Sequence, residues 1–445
     1  MTKTKLTTAV GATLLAASQA AHSSPFQPFD PRSMAMGGTG VAVGSAATAP
    51  LYNPALLATS RDRFAMELPI MGVRAYDPDE FADSVDDFQD GDYIDRLDAA
   101  IDLFNDGNDG NDDTTKIRSA LNDLDEQLIG LGGRPIQAEL GVGTVVAVPG
   151  RDVGVAFSAV ANAAVGGIIN YEDSSTFANF QDDLSKLDEC NALAPAQRPG
   201  CVDGHDFYYI DTSNPSNPRI DFDAEGDDSD IQSSVDVRAL STQEFGISLA
   251  RELNLHGHNF AVGITPKYVR ATVLDYTANV DTADDDDIDA DDYRKDYSHF
   301  NIDIGVAKYY NNGWRTGVVI KNLIPQSYDT YQMGEKTGSI KTSPQLRAGV
   351  SYEQELYTLA VDMDITQNRP VAFEGKSRLI SLGAEFNAWN WAQLRAGYRI
   401  NTDNSNRNVW SAGFGLSPFG AHLDVAVTGN ANEIGGAFQL GFLLR

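Results

Sequence analysis

The residues of this chain best suited to chemistry are runs of acids, two cysteines, a histidine pair and a glycine-rich leader. The acids come as NDGNDGNDD at 105–113, DFDAEGDD at 221–228 and DTADDDDIDADD at 281–292. Asp221, Asp223 and Glu225, with Gly226 behind them, are spaced like the opening of a calcium-binding loop, but no Glu stands at the twelfth position. Oxygen ligands at this density suit loosely held calcium or a bridge to lipopolysaccharide; they equally make highly solvated loops. Cys190 and Cys201 lie close together in a polar stretch. In an oxidising compartment such a pair staples its own loop as a disulfide. The histidines of HGH at 256–258 have no third ligand nearby, and GGTG at 37–40 lacks the Gly-Lys-Ser/Thr ending of a phosphate loop. No GxSxG, HExxH or zinc-type cysteine pattern occurs. Calcium is the one cofactor candidate, and the expectation is passage or recognition, not an enzyme.

These residues need elements to hold them. Residues 1–24 read as a secretory signal peptide: Lys3 and Lys5 precede an apolar stretch from Ala9 to Ala17, and small residues follow at Ser18, Ala20 and Ala21. That stretch is too short to span a membrane as a helix, and no other run nears the ~20 apolar residues required. The chain has 63 acids against 33 bases, a formal charge of -30 that repels nucleic acid backbones. No nucleic-acid partner is expected.

From residue 62 onward the dominant period is two. IQAELGVGTVVAV sets Ile136, Leu140, Val142, Val146 and Val148 against Gln137, Glu139 and Gly141, and LYTLAVDMDI sets Leu359, Val361 and Met363 against Asp362 and Asp364. Alternation of this kind gives each strand one apolar and one polar face. We read fourteen strands, near 62–76, 134–148, 151–166, 232–251, 257–273, 297–310, 312–324, 341–353, 355–367, 375–388, 390–402, 406–417, 419–429 and 433–445. Most reach the ~9–11 residues of a tilted membrane-crossing strand. Connections after even strands are short, whereas 77–133, 167–231 and 274–296 all follow odd strands. Short turns at one end and long loops at the other predict an all-β, antiparallel outer-membrane barrel of a Gram-negative bacterium, surrounded by lipid and lipopolysaccharide. Aromatics near the short turns, among them Tyr310, Trp314, Tyr357 and Trp391, fit an interfacial girdle.

Inside the first long loop, Ile94, Leu97, Ile101 and Phe104, and then Ile117, Leu121, Leu124 and Leu128, follow helical spacing. They predict two short amphipathic helices at the external mouth. The inward strand phase carries both signs: Glu139, Lys267, Asp303, Arg315, Lys321, Arg347, Asp362, Arg395 and Arg399. No single selective residue stands out among them.

The leader SMAMGGTGVAVGSAATAPLYNPALLA resembles the N-terminal signature of the exported outer-membrane family of conjugal transfer TraF-like proteins. Through Asn53, Pro54 and Ala55 it is more distantly similar to the FadL long-chain fatty-acid transporters. That resemblance implies a fourteen-stranded barrel whose N-terminal region, 25–61, folds into the lumen of a barrel formed by 62–445 as a hatch. It implies a monomeric plugged channel for hydrophobic or amphipathic small molecules, with Asn53, Pro54, Ala55, Gly37, Gly38 and Gly40 in the hatch. The first external loop departs from the pattern, being far more acidic than a greasy ligand-collecting surface. A structural or interaction barrel serving conjugation or secretion is the alternative, and a general diffusion porin a second.

Overall fold

The strand Tyr357–Asp364 shows the rule by which the chain folds, because its side chains alternate between exposed and buried from end to end. Tyr357, Leu359, Val361 and Met363 are exposed, while Thr358, Ala360, Asp362 and Asp364 are buried. A water-soluble sheet does the reverse. An outward apolar row and an inward polar row are what a strand in a bilayer requires.

The computed structural model describes residues 29–60, 63–105, 114–191, 193, 209–211, 219–221, 232–255, 258–279, 292–369, 371–373, 375–388 and 391–444. In chain order the first strands are β1 (Phe64–Tyr76), β2 (Ile136–Val148), β3 (Gly154–Asn170), β4 (Tyr209–Asp211), β5 (Arg219–Asp221) and β6 (Ser234–Leu255). Next come β7 (His258–Asn279), β8 (Arg294–Tyr309), β9 (Trp314–Lys321), β10 (Gln326–Gln332), β11 (Glu335–Thr342) and β12 (Gln345–Glu353). The last are β13 (Tyr357–Asp364), β14 (Leu379–Ala388), β15 (Ala392–Asn401), β16 (Val409–Leu416), β17 (Ala421–Gly429) and β18 (Glu433–Leu444).

Fourteen of these form one closed antiparallel barrel; β4–β5 and β10–β11 are separate hairpins. The barrel closes by pairing β1 with β18, from Phe64 opposite Leu444 to Tyr76 opposite Glu433. Closure leaves no strand edge, so the spanning strands satisfy one another's backbones without water, with one interruption in β1 between Glu67 and Ile70. At one end the connections are short, at 149–153, 256–257, 310–313, 354–356, 389–391 and 417–420. The long connections all lie at the other end. Strands β6 and β7 hold 22 residues each, longer than their alternation predicts, so they run on beyond any hydrocarbon layer.

Between β1 and β2 lie helices Phe81–Asp90, Tyr93–Asn105 and Thr115–Leu131, and helix Ser174–Asn191 follows β3. They bury a shared apolar core that includes Leu97, Leu121, Leu124, Phe177 and Phe180, with Ile220 of β5 added from the hairpin. The first and last of these helices and both hairpins go beyond the elements read from the sequence.

Candidate functional site

Residues 29–60 precede β1, and from Asp30 to Ala58 only Arg32, Gly44 and Ser45 are less than fully buried. The segment folds by local signals. Asp30 caps the short helix Pro31–Ala35 by accepting from the Ser33 amide at 3.1 Å, and Pro31 opens it with its φ already set. The chain then turns through Gly37 and Gly38 at φ +67° and +99°, a region that suits glycine. Gly40 is glycine for another reason: a Cβ there would stand 2.6 Å from the Tyr52 ring. Burial pushes the Asp30 carboxyl above its ordinary range, opposed by the Tyr52 hydroxyl that donates to it.

Asn53 ends the helix Ala49–Tyr52 and caps the 3-10 turn Pro54–Ala58, its Oδ1 accepting from the Ala55 amide at 3.1 Å. Its Nδ2 donates to Val41 O at 3.0 Å and to Val306 O of β8 at 3.2 Å. One side chain therefore ties the segment to itself and to the barrel wall.

The wall makes room for this segment with glycines. A methyl group on Gly305 of β8 would overlap Asn53, one on Gly263 of β7 would overlap Pro54 and Ala55, and one on Gly397 of β15 would overlap Gly37. Elsewhere the contact surface is small and apolar: Leu51, Leu56 and Leu57 pack on Ala147, Ala156, Ala250, Ala261 and Ala307.

Polar side chains of the wall fasten the segment. Asp362 of β13 accepts from the amides of Gly40 at 2.7 Å and Val41 at 2.9 Å. Ser411 of β16 accepts from the Gly37 amide at 3.1 Å, and Lys321 of β9 donates to Leu51 O at 2.9 Å. Arg32, the one charge between Pro31 and Ala58, meets Glu385 of β14 in a two-bond pair, both bonds 2.9 Å. Glu385 also accepts from Arg395 of β15 at 2.7 Å, and Arg395 reaches Asp424 of β17 at 2.5 Å.

The inward charges read from the sequence thus face the interior, most of them as members of pairs; Lys267 and Asp303 both belong to that set, while Glu244, Glu353, Glu385 and Glu433 are partners added by the structure. Lys267 lies 3.0 Å from Glu244 and 3.1 Å from Asp303; Arg347 lies 2.5 Å from Asp364; Arg315 lies 2.6 Å from Glu353; Arg399 pairs with Glu433. His422 of β17 and Glu67 of β1 approach to 2.7 Å. Burying ions is costly, and pairing limits that cost without making the pairs strongly stabilising. Inward position at period two was the available signal for Glu67, Glu385, His422 and Asp424. Between the segment, strands β1 to β3, β6 to β9 and β12, and the β10–β11 hairpin lies a cavity of about 170 Å³.

The remaining candidates lie away from this place or outside the described residues. Cys190 falls within helix Ser174–Asn191, while Cys201 lies outside the described residues, and with it the expected disulfide. Asp221 closes β5, and Asp223 and Glu225 lie outside the described residues, as does His256. Among the described residues no group of three or more His, Cys, Asp or Glu side chains is placed to hold a metal ion.

The barrel is shared with solved structures at low sequence identity. The toluene transporter TbuX of Ralstonia pickettii is 12% identical, with a TM-score of 0.50 over 94% of this chain and 99% of that one. The monoaromatic hydrocarbon channel CymD is 11% identical, with a TM-score of 0.50 over 95% and 99% of the two chains. No curated protein matches the chain. The closed fourteen-stranded sheet with its outward apolar rows is an outer-membrane barrel of a Gram-negative bacterium. Residues 50–364 match the model of one family, and by that match the chain belongs to the F plasmid transfer operon TraF protein family.

Proposed function

We propose that this protein is a plugged outer-membrane channel that passes hydrophobic or amphipathic small molecules. In this reading residues 1–24 are the export signal, 25–61 are a lumenal hatch and 62–445 are a monomeric barrel in lipid and lipopolysaccharide. Asn53, Pro54 and Ala55 seat the hatch on β7 and β8, and Gly37, Gly38 and Gly40 form the turn that docks on β13 and β15. The observation that carries the reading is the fastening of one buried segment to a backbone carbonyl of β8 and to inward side chains of strands from β9 to β16. A segment held by many separate bonds, each made by a different strand, is suited to reversible release. TbuX and CymD, by their names, carry toluene and monoaromatic hydrocarbons, which supports a small organic cargo.

The test is uptake of a hydrophobic compound into liposomes holding the wild-type protein or the Asn53→Ala/Pro54→Ala double variant. The two should differ, and at least one should exceed empty liposomes. Equal uptake by both, no faster than empty liposomes, refutes the channel. A second reading, an interaction barrel serving conjugation or secretion, is favoured by the helices between β1 and β6, which bury an apolar core of their own. Deletion of residues 80–128 without effect on any partner interaction would refute it. Near-silent single-channel recordings separate both readings from an open diffusion pore.

A further inference from the structure

The cavity beside the segment differs in character from a hydrocarbon site. Its wall is built from the inward phases of neighbouring strands: Ser158 and Asn162 on β3, Thr242 and Glu244 on β6, Lys267 on β7 and Asp303 on β8. Asn162 stands directly opposite Thr242 in the β3–β6 ladder, so the two polar side chains form one patch. Among the described residues Ser158, Asn162 and Thr242 have no side-chain hydrogen-bond partner, and all three line the cavity. Their donors and acceptors are open to whatever occupies it.

The charges of the lining are matched. Arg74, Lys267 and Lys321 face the cavity with Glu139, Glu244 and Asp303, three of each sign. Lys267 is held between Glu244 and Asp303, and Arg74 lies 3.5 Å from Glu139. An ionic ligand would enter without a spare counter-charge and would lose its hydration. The segment supplies the apolar side through Phe29, Leu51 and Tyr52, facing Val160 and Val269. The volume, about 170 Å³, is close to that of an engineered cavity of about 150 Å³ that takes benzene.

We propose that this cavity binds a neutral molecule about one aromatic ring in size that carries a hydroxyl or amide group, in preference to an unsubstituted hydrocarbon or an ion. The proposal deepens the channel reading by naming the cargo class, and rests on it only for the claim that the bound molecule is cargo. The ring lies against the segment, and its polar group exchanges hydrogen bonds with the facing pair Asn162 and Thr242. A hydrocarbon would leave those groups dehydrated and unpaired, which is the strongest means a site has of rejecting an analogue that lacks one polar group.

Phenol and toluene are near-isosteric probes, and benzoate is the charged control. Binding is measured by calorimetry on protein in lipid nanodiscs, with protein-free nanodiscs subtracted to remove partitioning. Phenol should bind about tenfold or more tightly than toluene, and benzoate more weakly than phenol. The Asn162→Leu/Thr242→Val variant should lose that preference, and Ser158→Ala, which lies about 13 Å along β3 from Asn162, should keep it; an unchanged melting temperature for either shows that its barrel is intact. Toluene binding as tightly as phenol, benzoate binding as tightly as phenol, or a preference unchanged in the folded Asn162→Leu/Thr242→Val variant each overturns the assignment. Phenol binding without protein-dependent phenol flux into liposomes would refute the channel and leave the site standing.

Discussion

Replacement of Asp362 by Ala removes the acceptor that holds two amides of the buried segment, Gly40 at 2.7 Å and Val41 at 2.9 Å. All three residues are buried, so bulk water does not take over at once. A buried donor left unmade costs about 1–3 kcal/mol, which makes roughly 2–6 kcal/mol for the pair. At ~1.4 kcal/mol per factor of ten, the balance between seated and unseated segment moves by roughly 30-fold at the low end and 20,000-fold at the high end. Water drawn into the space vacated by the carboxylate favours the low end. Asp362→Asn keeps one acceptor but loses its charge, and charge-assisted bonds are about twice as strong as neutral ones. Its effect should therefore be smaller. Hydrogen exchange read by mass spectrometry on peptides from 37–57 measures this directly. Exchange there should rise by about 30-fold or more in Asp362→Ala and less in Asp362→Asn, with β14 and β15 unchanged. A folded Asp362→Ala barrel whose 37–57 peptides exchange at the wild-type rate would show that the carboxylate does not hold the segment.

Three other perturbations probe separate parts of the molecule. Gly397→Ala places a methyl group where Gly37 now lies, so protease cleavage within 29–45 should increase while the barrel keeps its heat-modifiable gel mobility; unchanged cleavage would mean the wall can yield. Leu124→Ala empties a fully buried position in the helical core and should cost that layer ~2–5 kcal/mol, seen as an earlier helical melting step with the barrel transition unmoved. Burial, with the hydrogen bond to Asp125 and its charge, holds the Tyr171 phenol above the ordinary tyrosine value. A raised folded pKa means that this stabilisation is whole below about pH 10 and is lost as pH rises through the folded value. Tyr171→Phe should therefore flatten the alkaline loss of helical circular dichroism, and a curve superimposable on wild type would refute the assignment.

The barrel was legible because period-two alternation survives wherever lipid faces one side of a strand. Leu359, Val361 and Met363 against Asp362 and Asp364 state both the strand and its two faces before any coordinates. Loop asymmetry then fixed which end was which. Strand ends were less legible, since past Val273 strand β7 runs beside the β10–β11 hairpin, where the Thr337 hydroxyl donates to Asp275, a partner that local reading does not see. The helix Ser174–Asn191 did leave a signal, with Phe177, Phe180, Leu184 and Leu187 at helical spacing. It sits in a polar stretch between acidic runs, and its apolar face is covered by a loop from elsewhere in the chain, which local reading does not see. The same limit hid the partners of the inward charges. Arg32 and Glu385 are 353 residues apart, and no spacing rule joins them.

The composition of the N-terminal segment follows from the wall it meets. A barrel interior lined with matched charges offers few places for further ions, so the segment between Pro31 and Ala58 carries one, Arg32, opposite Glu385. Most of its other fastenings use backbone groups: the Gly37, Gly40 and Val41 amides and the Leu51 carbonyl. Wall side chains such as Asp362 and Lys321 reach these groups because the segment lies close against the wall, which requires small residues where the two backbones approach. That condition explains the glycines and alanines of the segment together with Gly263, Gly305 and Gly397 of the wall. Enlarging either surface should therefore be tolerated only when the facing position is reduced. Gly305→Ala in a background where Asn53 is replaced by Ser should seat the segment better than Gly305→Ala alone, judged by the exchange of 37–57 peptides. Equal exchange in the two would mean that the fit is not set by this pair of surfaces.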